Sequence, residues 1–111
     1  MDRRTSRRYE LSFPILVRVP ALGSGPGYVG RTLNISTRGV HFILEVALDR
    51  GTPIDFTITL FPQVSDGTHV LVRGEGTVLW IDNSHSHACR IAAAIERYEI
   101  SRERPAAYER L

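Results

Sequence analysis

The sequence predicts an all-β fold, a six-stranded antiparallel β-barrel, and three observations support this prediction. Several segments alternate apolar and polar side chains, which is the pattern of a strand with one buried face. Turn-forming residues recur about every ten positions between these segments, as in small sandwiches and barrels. With 111 residues, 42% of them hydrophobic and 23% charged, the chain is one globular domain with little length left for helices. Closure into a barrel would also remove the free edges of the sheet.

The six strands can be placed from their alternation and from the turns between them. In the first strand Ile15 and Val17 lie on one face, and Pro14 suits an edge or a bulge. Gly74 and Gly76 interrupt the long fifth strand and indicate a bend or bulge. We allow a single helical turn over residues 45–50, and we expect turns over 62–67 and 82–86. The predicted strands span residues 11–19, 28–35, 40–44, 54–61, 69–81 and 88–95, and Tyr98 and Ile100 are a possible extension of the last one.

Both ends of the chain depart from the strand pattern. Residues 1–9 form a polar, arginine-rich arm, residues 10–101 form the barrel, and residues 102–111 form a tail or at most a short C-terminal helix that begins at Pro105. Cys89 is the only cysteine, which excludes an internal disulfide and predicts a buried free thiol. We expect Trp80 to fill the core or a subunit contact.

The positive charge of the chain is concentrated in the arm. Residues 1–8 hold four arginines and one aspartate, a net +3, which leaves ten arginines and eleven acids in the rest of a chain of net charge +2. A protein that coats nucleic acid would instead carry a basic face on its body. The sequence shows no signal peptide and no apolar run of about 20 residues. We therefore expect a cytoplasmic protein without membrane insertion.

A short polar segment between the second and third strands is a candidate binding element. The side chains of Asn34 and Ser36 can bond to the nearby backbone and order a turn. Gly39 permits a positive φ at little steric cost, and Arg38 adds a guanidinium group. Two short polar side chains beside an arginine suit the edge of a purine base or a phosphate. An ordinary hairpin turn is the alternative interpretation of this segment alone.

Together, the arm and this turn resemble the PilZ domain, a bacterial receptor module for cyclic di-GMP with a six-stranded β-barrel. The first motif of that family, Arg-x-x-x-Arg, matches Arg4 and Arg8, and in a second register it matches Arg3 and Arg7. The second motif, Asp/Asn-x-Ser-x-x-Gly, matches the turn in full. The resemblance covers roughly residues 3–100, and both motifs occur in the family's order.

The resemblance implies a receptor that closes its arm over cyclic di-GMP. Arg4 and Arg8 would clamp the ligand, because an arginine fork matches the O6 and N7 acceptors of guanine. Asn34 and Ser36 would hold the ligand against the barrel, and Arg38 would add a contact to a phosphate or base. This function needs no metal, no catalytic residue and no cofactor besides the ligand. It does need a downstream protein, which the sequence does not identify.

Other functions remain open from the sequence. A family member without nucleotide binding would act as a protein-interaction module, and a small barrel with a basic arm can bind single-stranded nucleic acid. The slightly acidic body and the lack of an aromatic row argue against nucleic acid. No acid is placed to orient His41 as a base for Ser36, so we do not expect an enzyme. The histidines are too scattered for a metal site: His41, His69, His85 and His87. A homodimer is also left open.

Overall fold

A computed structural model describes residues 12–23, 25–60, 69–85 and 87–103 of the chain. Its six strands form a closed antiparallel barrel in the order β1-β2-β3-β6-β5-β4, and β4 pairs again with β1. The described part contains one short 3-10 turn, Pro20–Leu22, and no α-helix, so the predicted all-β barrel is confirmed. The strands are β1 Pro14–Arg18, β2 Tyr28–Ile35, β3 Gly39–Leu44, β4 Pro53–Leu60, β5 His69–His85 and β6 Ala88–Glu103.

The predicted strand bounds hold within one residue for β2, β3 and β4, are too long for β1, and end too early for β5 and β6. β2 spans the predicted residues, and the predicted bend of β5 is present as a register shift between Glu75 and Gly76. The turn predicted over 82–86 is wrong for the described residues, because Asp82 still pairs with Arg90 and β5 continues to His85. β6 continues beyond Ile95 because β5 pairs with it as far as Glu103.

The segment before β4 does not form the helical turn that the sequence allowed. It is held against β5 by two backbone hydrogen bonds, in which Gly51 N–H donates to Val78 O (2.8 Å) and Val78 N–H donates to Thr52 O (2.9 Å). These bonds satisfy the backbone without a helix. The predicted arm over 1–9, the turn over 62–67 and the possible helix from Pro105 lie outside the described residues.

The core consists of the inward-facing side chains of all six strands. Cys89 is a buried free thiol, as predicted. Trp80 is 44% exposed, so the core is the wrong one of its two predicted places, and a subunit contact stays a prediction. An extra residue in β5, Leu79, shifts the register between Val78 and Trp80 and so reverses the alternation of side chains. Fully buried core side chains include Ile15, Val17, Phe42, Leu44, Ile54, Ile58, Val78 and Ile91.

Candidate ligand-binding site

Ser36 organises the turn between β2 and β3. Its Oγ accepts hydrogen bonds from Arg38 N–H and Gly39 N–H, both at 3.2 Å. Its own N–H donates to Gly39 O at 2.9 Å, which closes the hairpin. On the far side, Arg38 O accepts a hydrogen bond of 2.8 Å from Ile95 N–H of β6. The Ser36 hydroxyl therefore shapes the hairpin, as the sequence predicted, and the hairpin is anchored to the neighbouring strand.

Gly39 has a different role from the one that we expected. Its φ is not positive, since the only glycines of positive φ in the described part are Gly23, Gly27 and Gly51. Instead, Gly39 begins β3 and pairs with Ala94, and an added Cβ would lie 3.2 Å from Ala93 O. The glycine therefore serves close packing between β3 and β6, so the expectation of a left-handed turn residue was wrong.

Asn34 lies on the outer face of the barrel because of a bulge in β2. The pairing with β3 shifts between Thr32 and Asn34, so that Leu33 is an extra residue and Asn34 lies opposite His41. Thr32 is fully buried, and without the extra residue Asn34 would continue on its inward face. The bulge therefore turns the amide of Asn34 towards the solvent side.

An outward-facing row of residues crosses four strands from Asn34. Asn34 pairs with His41, His41 pairs with Ala92, and Ala92 pairs with Trp80. The rings of His41 and Trp80 make an edge-to-face contact, with centroids 5.0 Å apart and planes at 71°. Between this aromatic pair and the hairpin, the surface carries only small residues, Ala92, Ala94 and Gly39. The outer face thus offers an amide, an aromatic pair and a shallow floor within one row.

His41 and Trp80 were not among the residues that the sequence predicted for the site. Their neighbourhood depends on the order β3-β6-β5 and on the bulge at Leu79, and neither is visible in the sequence. The single tryptophan was the only signal that could have drawn attention to this face. The four paired residues Asn34, His41, Ala92 and Trp80 form the "outer row" of the barrel.

Ser12 and Phe13, the root of the arm, are bound to β2 just before Asn34. Arg31 donates two hydrogen bonds to Ser12, from Nε to Oγ at 2.8 Å and from a terminal guanidinium nitrogen to the backbone carbonyl at 2.9 Å. Phe13 N–H donates to Thr32 Oγ1 and Thr32 N–H donates to Phe13 O, each at 2.9 Å. Four hydrogen bonds therefore hold Ser12 and Phe13 on β2, close to the start of the outer row.

The predicted site residues fall into two groups. Asn34, Ser36, Arg38 and Gly39 all lie in or beside one hairpin, and Arg38 is exposed there. The four arginines of the arm lie outside the described residues: Arg3, Arg4, Arg7 and Arg8.

The chemistry of this face suits a flat, polar ligand. An indole ring stacks on any base, and an amide side chain can donate to and accept from a base edge. In the described part of the chain, no group of three or more His, Cys, Asp or Glu side chains is placed to hold a metal ion. The described residues likewise include no helix that is long and apolar enough to cross a membrane.

The closed barrel, the ordered hairpin and the outer row define a small β-barrel module with a polar and aromatic outer face. The family model of the PilZ domain matches residues 2–104, and the chain therefore belongs to the PilZ domain family. This family is one of cyclic di-GMP receptors.

A comparison of structures finds the same fold in a solved protein. The structure of the Bacillus subtilis inhibitor of motility (MotI/DgrA) matches with a TM-score of 0.70 and 17% sequence identity. The match covers 89% of this chain and 45% of that chain, so the domain corresponds to somewhat less than half of the longer protein. At this identity the likeness concerns the fold alone. Among curated proteins, no sequence matches this chain.

Proposed function

We propose that this domain is a receptor for cyclic di-GMP that binds the ligand on the outer row and closes its arginine arm over it. The observation that carries the proposal is the position of the arm root. Ser12 and Phe13 are hydrogen-bonded to Arg31 and Thr32 of β2. This is the strand that carries Asn34 and leads into the hairpin that Ser36 orders. From this position the arm would bring both motifs of the family to one face of the barrel.

Each part of this face would recognise a different part of the ligand. The indole of Trp80 would stack on a guanine, and the amide of Asn34 would bond to a base edge or a ribose. Arg4 and Arg8 would grip phosphates or guanine acceptors from above, and Arg3, Arg7 and Arg38 would add positive charge around them. Gly39 keeps the floor of the site flat for this contact.

The free energies of the individual contacts agree with a site that needs the arm, the hairpin and the outer row together. Micromolar binding requires about 8 kcal/mol. Base stacking contributes roughly 1–3 kcal/mol per base, and a charge-assisted hydrogen bond roughly 1.5–3 kcal/mol. Ordering each residue of a loose arm costs roughly 1–2 kcal/mol. The cost of ordering the arm would therefore cancel most of the binding free energy that two arginines supply. The outer row must then supply much of the affinity.

The proposed role is binding and signalling in the cytoplasm, without catalysis, a metal or a further cofactor. Closure of the arm would change the surface that a downstream protein contacts. The structural neighbour is described as an inhibitor of motility, which is the kind of effect that a receptor exerts through a protein partner. We propose such a partner for this domain as well, without assigning its identity.

Isothermal titration calorimetry with cyclic di-GMP tests the proposal. We expect saturable binding that Arg8→Ala or Asn34→Ala weakens at least about tenfold, the loss of roughly one charge-assisted bond. Arg18→Ala is the matched control, because Arg18 is an exposed arginine at the other end of β1. The measured stoichiometry also distinguishes one bound ligand from a stacked pair.

Three results would contradict the proposal. A folded protein that gives no saturable heat with cyclic di-GMP would be a protein-interaction module instead. Equal losses in Arg8→Ala and Arg18→Ala would show general electrostatic attraction rather than a site. A gel shift with single-stranded nucleic acid that weakens steeply with salt would favour the nucleic-acid alternative.

A further inference from the structure

The rings of His41 and Trp80 meet across the strand that separates them. β6 lies between β3, which carries His41, and β5, which carries Trp80, and Ala92 is the residue of β6 that pairs with both. Neighbouring strands are about 4.8 Å apart, so the backbones of the two ring residues are roughly 10 Å apart. Their ring centroids are only 5.0 Å apart, with the planes at 71°. The two side chains therefore lean towards each other over the methyl group of Ala92.

The small size of Ala92 leaves room for this contact. Cross-strand neighbours on one face lie within about 5.5 Å, so a longer side chain at position 92 would enter the space between the rings. On the other side of Trp80, the printed pairing of β5 with β4 has already ended at Thr77. The imidazole of His41 is therefore the aromatic group of the described chain that contacts the indole.

The burial of the two rings indicates different roles for them. Trp80 is 44% exposed, so much of its indole is open to a flat ligand. His41 is only partly exposed and its Nε2 atom is buried, so this nitrogen faces the protein rather than the solvent. The indole is thus the surface on which a base can stack, and the imidazole is its support.

We propose that His41 is a positioning residue, which holds the indole of Trp80 ready for stacking on a guanine through a contact that Ala92 permits. One edge-to-face contact shifts the equilibrium between the held and the mobile indole by about three- to tenfold. A side chain that is already held loses less conformational freedom when the ligand arrives. The role of His41 in binding rests on the proposed function, whereas its hold on Trp80 in the free protein does not.

The fluorescence of Trp80 reports this contact directly, because it is the only tryptophan of the chain. Time-resolved anisotropy of the ligand-free protein measures the fast local motion of the indole. We expect His41→Ala to raise the ratio of mobile to held indole by about three- to tenfold. His41→Phe keeps an aromatic ring and should restore most of the wild-type anisotropy. His87→Ala is the matched control, since His87 is exposed in the turn between β5 and β6.

A second variant, Ala92→Leu, separates the rings without removing either of them. The longer side chain would lie between His41 and Trp80, so the indole should gain the same motion as in His41→Ala. Ala94→Leu is the control, because it makes the same change at the next outward position of β6 and should leave the indole held. Ala92→Leu also keeps the proposal open to refutation if His41→Ala does not fold.

Two results would overturn the hold on Trp80. The first is indole motion that is equal in the wild type and in every folded variant among His41→Ala and Ala92→Leu. The second is an equal gain of motion in Ala92→Leu and Ala94→Leu, which would show a general disturbance of β6 rather than the separation of two rings.

A double-mutant cycle with cyclic di-GMP tests the role of His41 in binding. His41→Ala should weaken binding by about three- to tenfold in the wild-type background and by less than about twofold in the Trp80→Ala background, because it acts through the indole. An equal loss in both backgrounds would mean that His41 contacts the ligand itself, and no loss in either would also overturn the positioning role. A wild type that does not bind cyclic di-GMP, together with a mobile indole in His41→Ala, would refute the proposed function and leave the hold on Trp80 standing.

Discussion

Replacing Ser36 by alanine tests whether this side chain acts on the hairpin or directly on a ligand. The Ser36 hydroxyl accepts two backbone hydrogen bonds, from Arg38 N–H and Gly39 N–H, each at 3.2 Å. A hydrogen bond contributes roughly 0.5–1.5 kcal/mol net, and both bonds here are long and partly accessible to water. We therefore expect Ser36→Ala to lower the free energy of unfolding by about 1 kcal/mol.

Thermal unfolding measures the loss of stability in Ser36→Ala, and amide exchange shows whether the loss arises in the hairpin. A change of about 1 kcal/mol lowers the Tm of a domain of this size by roughly 4–8 °C. Amide exchange at Arg38 and Gly39 should accelerate in the ligand-free variant, because both N–H groups lose their acceptor. Ser36→Thr keeps the hydroxyl and should restore most of the stability. Thr37→Ala, an exposed neighbour in the same turn, is the matched control.

One result would refute this reasoning. If Ser36→Ala leaves the Tm within about 1 °C of the wild type and leaves exchange at Arg38 and Gly39 unchanged, the hairpin does not depend on the hydroxyl. A large loss of cyclic di-GMP affinity in that case would mean that Ser36 contacts the ligand itself. A loss of affinity that accompanies the loss of stability is the outcome that we expect.

Three further predictions concern the arm root, the bend of β5 and the outer row. Thr32→Val should cost about 1–3 kcal/mol in urea unfolding, because it leaves Phe13 N–H without its acceptor; an unchanged midpoint would contradict a structural role for this bond. Gly76→Ala should cost about 1–3 kcal/mol or prevent folding, because the added Cβ would collide with Ala94 O, and wild-type stability would show that the two strands can separate. Trp80→Ala should change stability little but weaken cyclic di-GMP by roughly 1–3 kcal/mol, and an unchanged titration would exclude stacking there.

The strand pattern is readable from the sequence wherever alternation is unbroken. β2 has the predicted bounds, and the inward positions of β1 and β4 are those that the alternation indicates. Two bulges are not readable in this way, because one extra residue reverses the side chains that follow. Leu79 turns Trp80 outward, and Leu33 places Asn34 beside His41. A bulge is set by the pairing of two strands that are distant in sequence, so a single strand does not reveal it.

The amino-acid sequence by itself determined the class of fold, the Ser36 turn and the presence of both family motifs in one chain. These depend on local properties, namely side-chain alternation, turn chemistry and the spacing of a few residue types. Only the tertiary structure decided that Ser12 and Phe13 are bound to β2 beside Asn34, that Trp80 shares the outer face, and that an apolar cleft opens beside the Ser36 hairpin. These depend on strand order and register, which arise when all six strands close around one core.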